Sequence, residues 1–465
     1  MARISRTENG AVQYASTFNK HLDFFSKAGS AFVRKGKATH SNGVTALELF
    51  KAMWDAEDGD KNELAFKLLM WCRDCRGGAG NRSGSRDVIR WLGDVAPEWI
   101  EKNIDFIPEL GRWDDLKALY GTKSERVALK KWAIGLVDGN GLAFKWAGRK
   151  DFRLRGYMGM SPKDFRMMLV AGTNVVETAM CAKKWNIIDF AKVPSVAMAR
   201  YAKAFARNCV TSFETFKKKV ENGEAKINAS VVFPHDLVNA VRHGDKQTAD
   251  LQWNALPNFL EGTGQRVMAI ADTSGSMCHG LSGSIQPIDV SQALALYCSD
   301  KIGEGNPFYR KYMQFCDETN LTDWKGKKLS EVVDNRQYFN EVIGNTNISK
   351  ALTTLLKLGQ MWNVPKDQMP NTLLIISDMQ FDHQVSNSTP VEAELRKWEQ
   401  AGYEVPKVVY WDVVPHSGSP ANKNSENCGL VSGFSPAILK SVLNGKDFSP
   451  IGIMLEALSK YKVVR

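Results

Sequence analysis

From about residue 18 to residue 245, apolar side chains recur at three- and four-residue intervals, the period of a helix with one buried face. Segments 46–54, 63–73, 86–92, 113–119, 124–137, 162–170, 195–208 and 213–222 all follow it, separated by short Gly, Pro or Asn punctuation. Period-2 alternation is scarce. Many short helices without strands predict stacked helical hairpins, an all-α helical-repeat (HEAT-like) domain over residues 18–261, although no repeat of fixed period stands out. Residues 1–17 are polar and read as a flexible tail.

Near residue 262 the pattern changes. Segment 266–271 is a short apolar run ending in Asp272, segment 289–302 is an amphipathic helix, and segment 308–315 is strand-like. Helical spacing returns at 349–358 and 392–401. Apolar strands at 372–376 and 407–411 end in Ser377-Asp378 and Asp412. Strands alternating with helices predict a parallel or mostly parallel sheet covered on both faces, an α/β doubly wound domain over residues 262–465. Residues 262–265 are the expected linker. A chain of 465 residues accommodates this multidomain plan.

Charge divides along the same line. Residues 1–260 hold 41 Lys+Arg against 29 Asp+Glu, and residues 261–465 hold 20 against 22. The net charge of +10 therefore belongs to the helical half, which points to a polyanionic partner such as nucleic acid, or to a solvated basic surface. The eight cysteines show no disulfide-framework spacing, so reduced thiols in a cytoplasmic setting are expected. No apolar run approaches the ~20 residues of a membrane span, and the N-terminal residues lack the apolar core of a signal peptide, so neither membrane insertion nor secretion is expected.

The most pointed chemistry lies at the strand ends of the second half. Asp272-Thr273-Ser274-Gly275-Ser276 is an Asp-x-Ser-x-Ser loop at the C-terminal edge of a central strand, where open α/β sheets place ligands. Two hydroxyls one residue apart can converge from one tight loop, and the carboxylate before them supplies charge. Gly344-Asn345-Thr346-Asn347 brings a third hydroxyl just before a helix, and Asp378 closes a second buried strand. Oxygen donors of this kind suit a hard divalent cation, Mg²⁺ or another.

These three loops, in this order, resemble the metal-ion-dependent adhesion site of von Willebrand factor A domains. The resemblance implies that Ser274, Ser276 and Thr346 bind the cation directly while Asp272 and Asp378 act mostly through water. It also implies an open coordination position that accepts an acidic side chain of a protein partner.

In the helical half, Arg73, Arg76, Arg82 and Arg86 cluster around the Gly77-Gly78-Ala79-Gly80 turn, a combination suited to phosphate contacts or to interhelical ion pairs. Lys145, Arg149, Lys150 and Arg153 form a second basic stretch interleaved with Phe144, Trp146 and Phe152. Aromatics among cations can stack unpaired bases, although Trp113 and Trp146 suit a helical core better. The segments 73–82, 111–116, 142–147, 193–198 and 223–228 resemble the TROVE module of Ro autoantigen-like proteins, in which helical repeats precede a von Willebrand A domain. That resemblance covers about residues 18–460 and is closer to the uncharacterised Ro-related branch. It implies a ribonucleoprotein component that binds structured or misfolded RNA with a single-stranded 3′ end, as a monomer. A metal-dependent interaction scaffold without RNA binding is the alternative.

Other motifs lead nowhere. Segment 77–85 lacks the Gly-Lys-Ser/Thr ending of a nucleotide-binding loop. Cys72-x-x-Cys75 has no second ligand pair, and the seven histidines form none. His279 and His383 follow the metal loops and are expected at their rim as exposed loop residues. The donors are mostly neutral hydroxyls with no general base, so no enzymatic activity is expected.

Overall fold

A computed structural model of the chain describes residues 4–31, 44–55, 62–278, 286–335, 338, 344, 346–382, 390–444 and 447–465. The α/β half is built on six strands. In chain order they follow a two-stranded N-terminal hairpin, β1 (Ile4–Arg6) and β2 (Val12–Tyr14). The six are β3 (Val267–Asp272), β4 (Lys311–Phe315), β5 (Thr319–Asp323), β6 (Thr372–Ser377), β7 (Lys407–Asp412) and β8 (Cys428–Ser432). Their order is β5-β4-β3-β6-β7-β8, parallel throughout except for the antiparallel edge strand β5. Every residue of β3 and β6 is buried, which explains why both read as unbroken apolar runs. The order reverses between β3, which runs on to β4 at one side, and β6 at the other, so the β3–β6 crevice is the switch point of the sheet.

The N-terminal half is helical, as its spacing predicts. Helices Asn62–Arg73, Arg82–Val95, Glu125–Val137, Pro162–Gly172, Ser195–Asn208 and Val210–Glu221 lie on or near the anticipated segments. One large core runs from the first helices through Leu169 and continues through the sheet to Tyr461. A second, smaller core gathers Phe190, Phe205, Phe213 and Phe216 with Met198 and Ile227. Their rings lie 4.9–6.4 Å apart, within the range of favourable aromatic pairs.

Residues 4–17, expected as a loose tail, instead form an ordered hairpin docked on the α/β half. Tyr14 and Ser419 exchange backbone hydrogen bonds of 2.9 Å each way, and Gly10 bridges Asp382. The next helix, Lys20–Lys27, also packs on β7 and β8. Ser432 Oγ accepts from the Gly29 N–H at 2.9 Å and donates to the Phe25 carbonyl at 2.9 Å. The two halves therefore do not separate cleanly along the chain.

Both ends of the helical array grip the α/β half. At the first end, Lys460 Nζ and Tyr461 Oη donate to Asp74 at 2.8 Å, the Val464 N–H donates to Asn103 Oδ1 at 2.8 Å, and Arg465 pairs with Glu63. At the other end, Arg242 pairs with Asp289 at 2.8 Å, and the Asp250 carboxylate accepts from Ser330 N and Oγ at 2.8 and 2.7 Å. The array and the sheet thus form a closed circuit of contacts. Among the described residues, no helix is long and apolar enough to cross a membrane.

Candidate metal centre and basic surface

The three loops singled out in the sequence meet at the C-terminal ends of β3 and β6. The Gly275 N–H donates to the Gly344 carbonyl at 3.1 Å, tying the first loop to the second. The Asp382 N–H donates to the Thr346 carbonyl at 3.0 Å, tying the second to the third. Asp272 is wholly buried; its Oδ1 accepts from the Ser274 N–H at 2.9 Å and its Oδ2 from Ser377 Oγ. The Ser274 and Ser276 hydroxyls lie 3.2 Å apart. Thr346 and Asp378 are each 1% exposed. Asn345, His279 and His383 lie outside the described residues.

The cluster holds two buried carboxylates, Asp272 and Asp378. Burial, then the neighbouring Asp378, pushes the Asp272 carboxyl up to about 7, while hydrogen bonds from Ser274 and Ser377 hold it down in part. Asp378 Oδ1 accepts from the Gln380 N–H at 3.1 Å, but among the described residues its buried Oδ2 accepts no hydrogen bond. A buried carboxylate oxygen without a donor is costly, and a bound cation would relieve it. Among the described residues no group of three or more His, Cys, Asp or Glu side chains converges on a metal position. This cluster falls outside that class, because hydroxyls make up three of its five donors. Two carboxylates and three hydroxyls fit a hard, oxygen-seeking ion rather than zinc.

A buried polar group beside Asp378 escaped the sequence reading. His416 Nε2 stands 3.9 Å from Asp378 Oδ2. Together with Lys27 and Asp412, these residues line a cavity of about 20 Å³, room for about one water molecule. Burial lowers the Lys27 pKa and raises that of Asp412 well above the usual carboxylate range. Asp412 carried a signal, since it ends an apolar strand just as Asp272 does. Lys27 carried none, being one cation in an amphipathic helix.

The arginine cluster is mostly structural, which corrects the phosphate-contact reading for part of it. Arg73 is 2% exposed, and its Nε and a terminal nitrogen donate to Asp115 Oδ2 at 2.7 and 2.6 Å. Arg86 bridges Asp115 and Asp114 at 2.5 and 2.8 Å. Arg73 does not pair with its neighbour Asp74, which turns to Lys460 and Tyr461. Arg76 is exposed and donates to the Glu109 carbonyl; Arg82 is exposed, 3.9 Å from Asp114.

The glycine turn is no anion cradle either. The Gly77, Gly78, Ala79 and Asn81 amides donate to Asp74 Oδ1 and to the carbonyls of Asp74, Trp71 and Cys72. Its glycines serve close packing: a Cβ on Gly78 would stand 2.1 Å from the Trp71 carbonyl oxygen, and Gly80 has φ +73° against Phe233.

In the second stretch, Lys145 pairs with Glu177 and Arg153 with Glu125. Arg149 and Lys150 are exposed and make no ion pair among the described residues. Trp113 is core, as the helical alternative has it, and so is Phe144, against its reading among the stacking aromatics. Trp146 is half-buried and carries the Arg112 guanidinium 3.6 Å from its ring centre.

The basic excess is more concentrated than any one motif showed. Residues 145–226 hold 17 Lys+Arg against 7 Asp+Glu, an excess of ten. Arg166, Lys184, Arg207, Lys218 and Lys219 in this segment are exposed. A running charge count along the chain would have found it.

Residues 266–457 match the model of a domain of unknown function, DUF7788, and residues 162–265 that of a second, DUF2828. An uncharacterized protein of Acanthamoeba polyphaga mimivirus is 27% identical over 529 aligned residues, spanning 99% of this chain and 88% of that protein. The crystal structure of the RO (RSR) protein of Deinococcus radiodurans is similar at a TM-score of 0.40 and 15% identity, covering 96% of this chain and all of that one.

Proposed function

We propose that this chain is a non-enzymatic, Ro-like RNA-binding protein. Its helical half binds structured RNA bearing a single-stranded 3′ end, and its α/β half is an A-type domain that holds a divalent cation, Mg²⁺ in the first instance. The observation that carries the RNA reading is the exposed basic segment 145–226, which holds ten of the twelve excess charges of residues 1–260. A surface of this sign, with Phe152 exposed among its cations, suits phosphate contacts and base stacking together. At the sheet edge, Asp272, Ser274, Ser276, Thr346 and Asp378 would hold the cation. Bound there, it would supply a positive centre for an acidic side chain of a protein partner.

The test is a binding titration with an RNA hairpin carrying a single-stranded 3′ tail, against blunt duplex DNA. RNA affinity should fall steeply with salt, with a log–log slope that reports the phosphates neutralised. Charge reversal at Lys218 and Lys219 should weaken binding and flatten that slope by about one unit for each phosphate no longer neutralised. Asp272→Ala should leave RNA affinity intact. Equal or absent binding to both nucleic acids at ~100 mM salt would overturn the RNA reading.

A further inference from the structure

The tip of the N-terminal hairpin lies on the two loops that carry Thr346 and Asp378. Thr7 Oγ1 donates to the Phe381 carbonyl at 2.7 Å, and the Glu8 N–H donates to Gln380 Oε1 at 2.8 Å. Asn9 Nδ2 donates to the Gln380 carbonyl at 2.8 Å and to Thr346 Oγ1 at 3.4 Å. The first of these fixes the amide orientation, since a carbonyl accepts only from the nitrogen side of the amide. The atom presented to Thr346 is therefore a donor. Gly10, at φ +88°, turns the chain so that it also bridges Asp382, whose own N–H holds the Thr346 carbonyl. One short hairpin thus touches both the side chain and the backbone anchor of a single candidate ligand.

A threonine hydroxyl has one proton and two lone pairs. At 3.4 Å Asn9 engages one lone pair and biases the orientation of the hydroxyl, while the other lone pair stays available to a cation. Groups that orient a ligand in this way commonly change metal affinity about 10–100-fold when removed.

We propose that the hairpin is a working part of the metal face. Asn9 is a positioning residue that holds Thr346 for the cation, and hairpin docking and cation binding reinforce one another. This rests on the reading of Thr346 as a ligand. Linkage makes the effect reciprocal: if the docked hairpin tightens metal binding, metal must tighten hairpin docking by the same factor.

The experiment uses the full chain in three forms: unchanged, Asn9→Ala and Asp378→Ala. Mn²⁺ affinity is read by the electron paramagnetic resonance signal of the free ion. Amide hydrogen exchange over residues 7–11 is read with and without Mg²⁺. Asn9 is exposed, so its truncation should lower the metal-free unfolding midpoint only slightly, by what its hydrogen bond to Gln380 contributes. The expected result is Mn²⁺ binding that weakens about tenfold in Asn9→Ala, is lost in Asp378→Ala, and slows hairpin exchange in the unchanged chain. Equal Mn²⁺ affinity in the unchanged chain and Asn9→Ala overturns the proposal while leaving the metal site standing. No Mn²⁺ binding to the unchanged chain overturns the metal reading itself.

Discussion

Replacing Asp115 by alanine separates the structural from the RNA-binding account of the arginine cluster. The Asp115 carboxylate is wholly buried and accepts from Arg73 at 2.6 and 2.7 Å, from Arg86 at 2.5 Å and from the Arg112 N–H at 2.9 Å. Removing it leaves the Arg73 guanidinium, 2% exposed, without its counter-charge. Breaking a buried pair from one side costs about 3–5 kcal/mol, because the remaining charge stays desolvated. Arg86 adds less, since its side chain is 26% exposed and water screens it.

Urea slopes of about 1–3 kcal/mol/M hold for small proteins and rise with size, so in a chain of 465 residues that loss moves the unfolding midpoint down by roughly 0.5–1 M. Tryptophan fluorescence follows it well, because Trp71 and Trp113 lie in the surrounding core. Arg82→Ala, removing a 3.9 Å pair at an exposed side chain, should change stability by less than about 1 kcal/mol. The double change Arg73→Met with Asp115→Leu should recover most of the loss, since an apolar pair of similar volume removes both buried charges. An Arg73→Met chain that keeps its midpoint while losing RNA affinity would refute the structural account.

Further outcomes follow from the Asp272 carboxyl and from the glycine turn. Burial, then the neighbouring Asp378, raises the Asp272 carboxyl in the folded chain from its ordinary value of 3.8 to about 7. Between those values the folded state keeps a proton that the unfolded state has released, so stability without metal should fall as pH rises from about 4 to about 7 and level off above. Cation binding needs the ionised form, so metal affinity should rise across the same window, approaching tenfold per pH unit; calorimetric Mg²⁺ titrations giving one affinity on both sides of pH 7 would contradict it. Gly78→Ala should destabilise by about 1–3 kcal/mol, because its Cβ meets the Trp71 carbonyl at 2.1 Å. The same change should speed hydrogen exchange at Tyr461 and Val464 by loosening the neighbouring Asp74 clamp, and unchanged exchange there would count against that coupling.

The strand ends were legible because β3 and β6 are buried along their whole length. An unbroken apolar run that stops on an acid identifies a strand and its C-terminal end at once. Thr346 was legible as a hydroxyl placed just before a helix. The hairpin was not legible, since β1 and β2 have three residues each and half-polar sequences. Their order comes from Gln380, Phe381 and Ser419, more than 370 positions away. Local pattern carries no record of such partners. Arg73 shows the same limit. Its neighbour Asp74 looked like the natural counter-ion, yet the pair that formed joins residues 42 positions apart.

The bond between Gly29 and Ser432 spans 403 positions of chain. At synthesis rates of about 5–20 residues per second, the first helix leaves the ribosome roughly 20–80 s before its partner strand exists. Throughout that interval Leu22, Phe24 and Phe25 have no sheet to cover them. During it Phe24 and Phe25 can already pack on Phe50 and Trp71, so the wait falls on the helix face that meets β8.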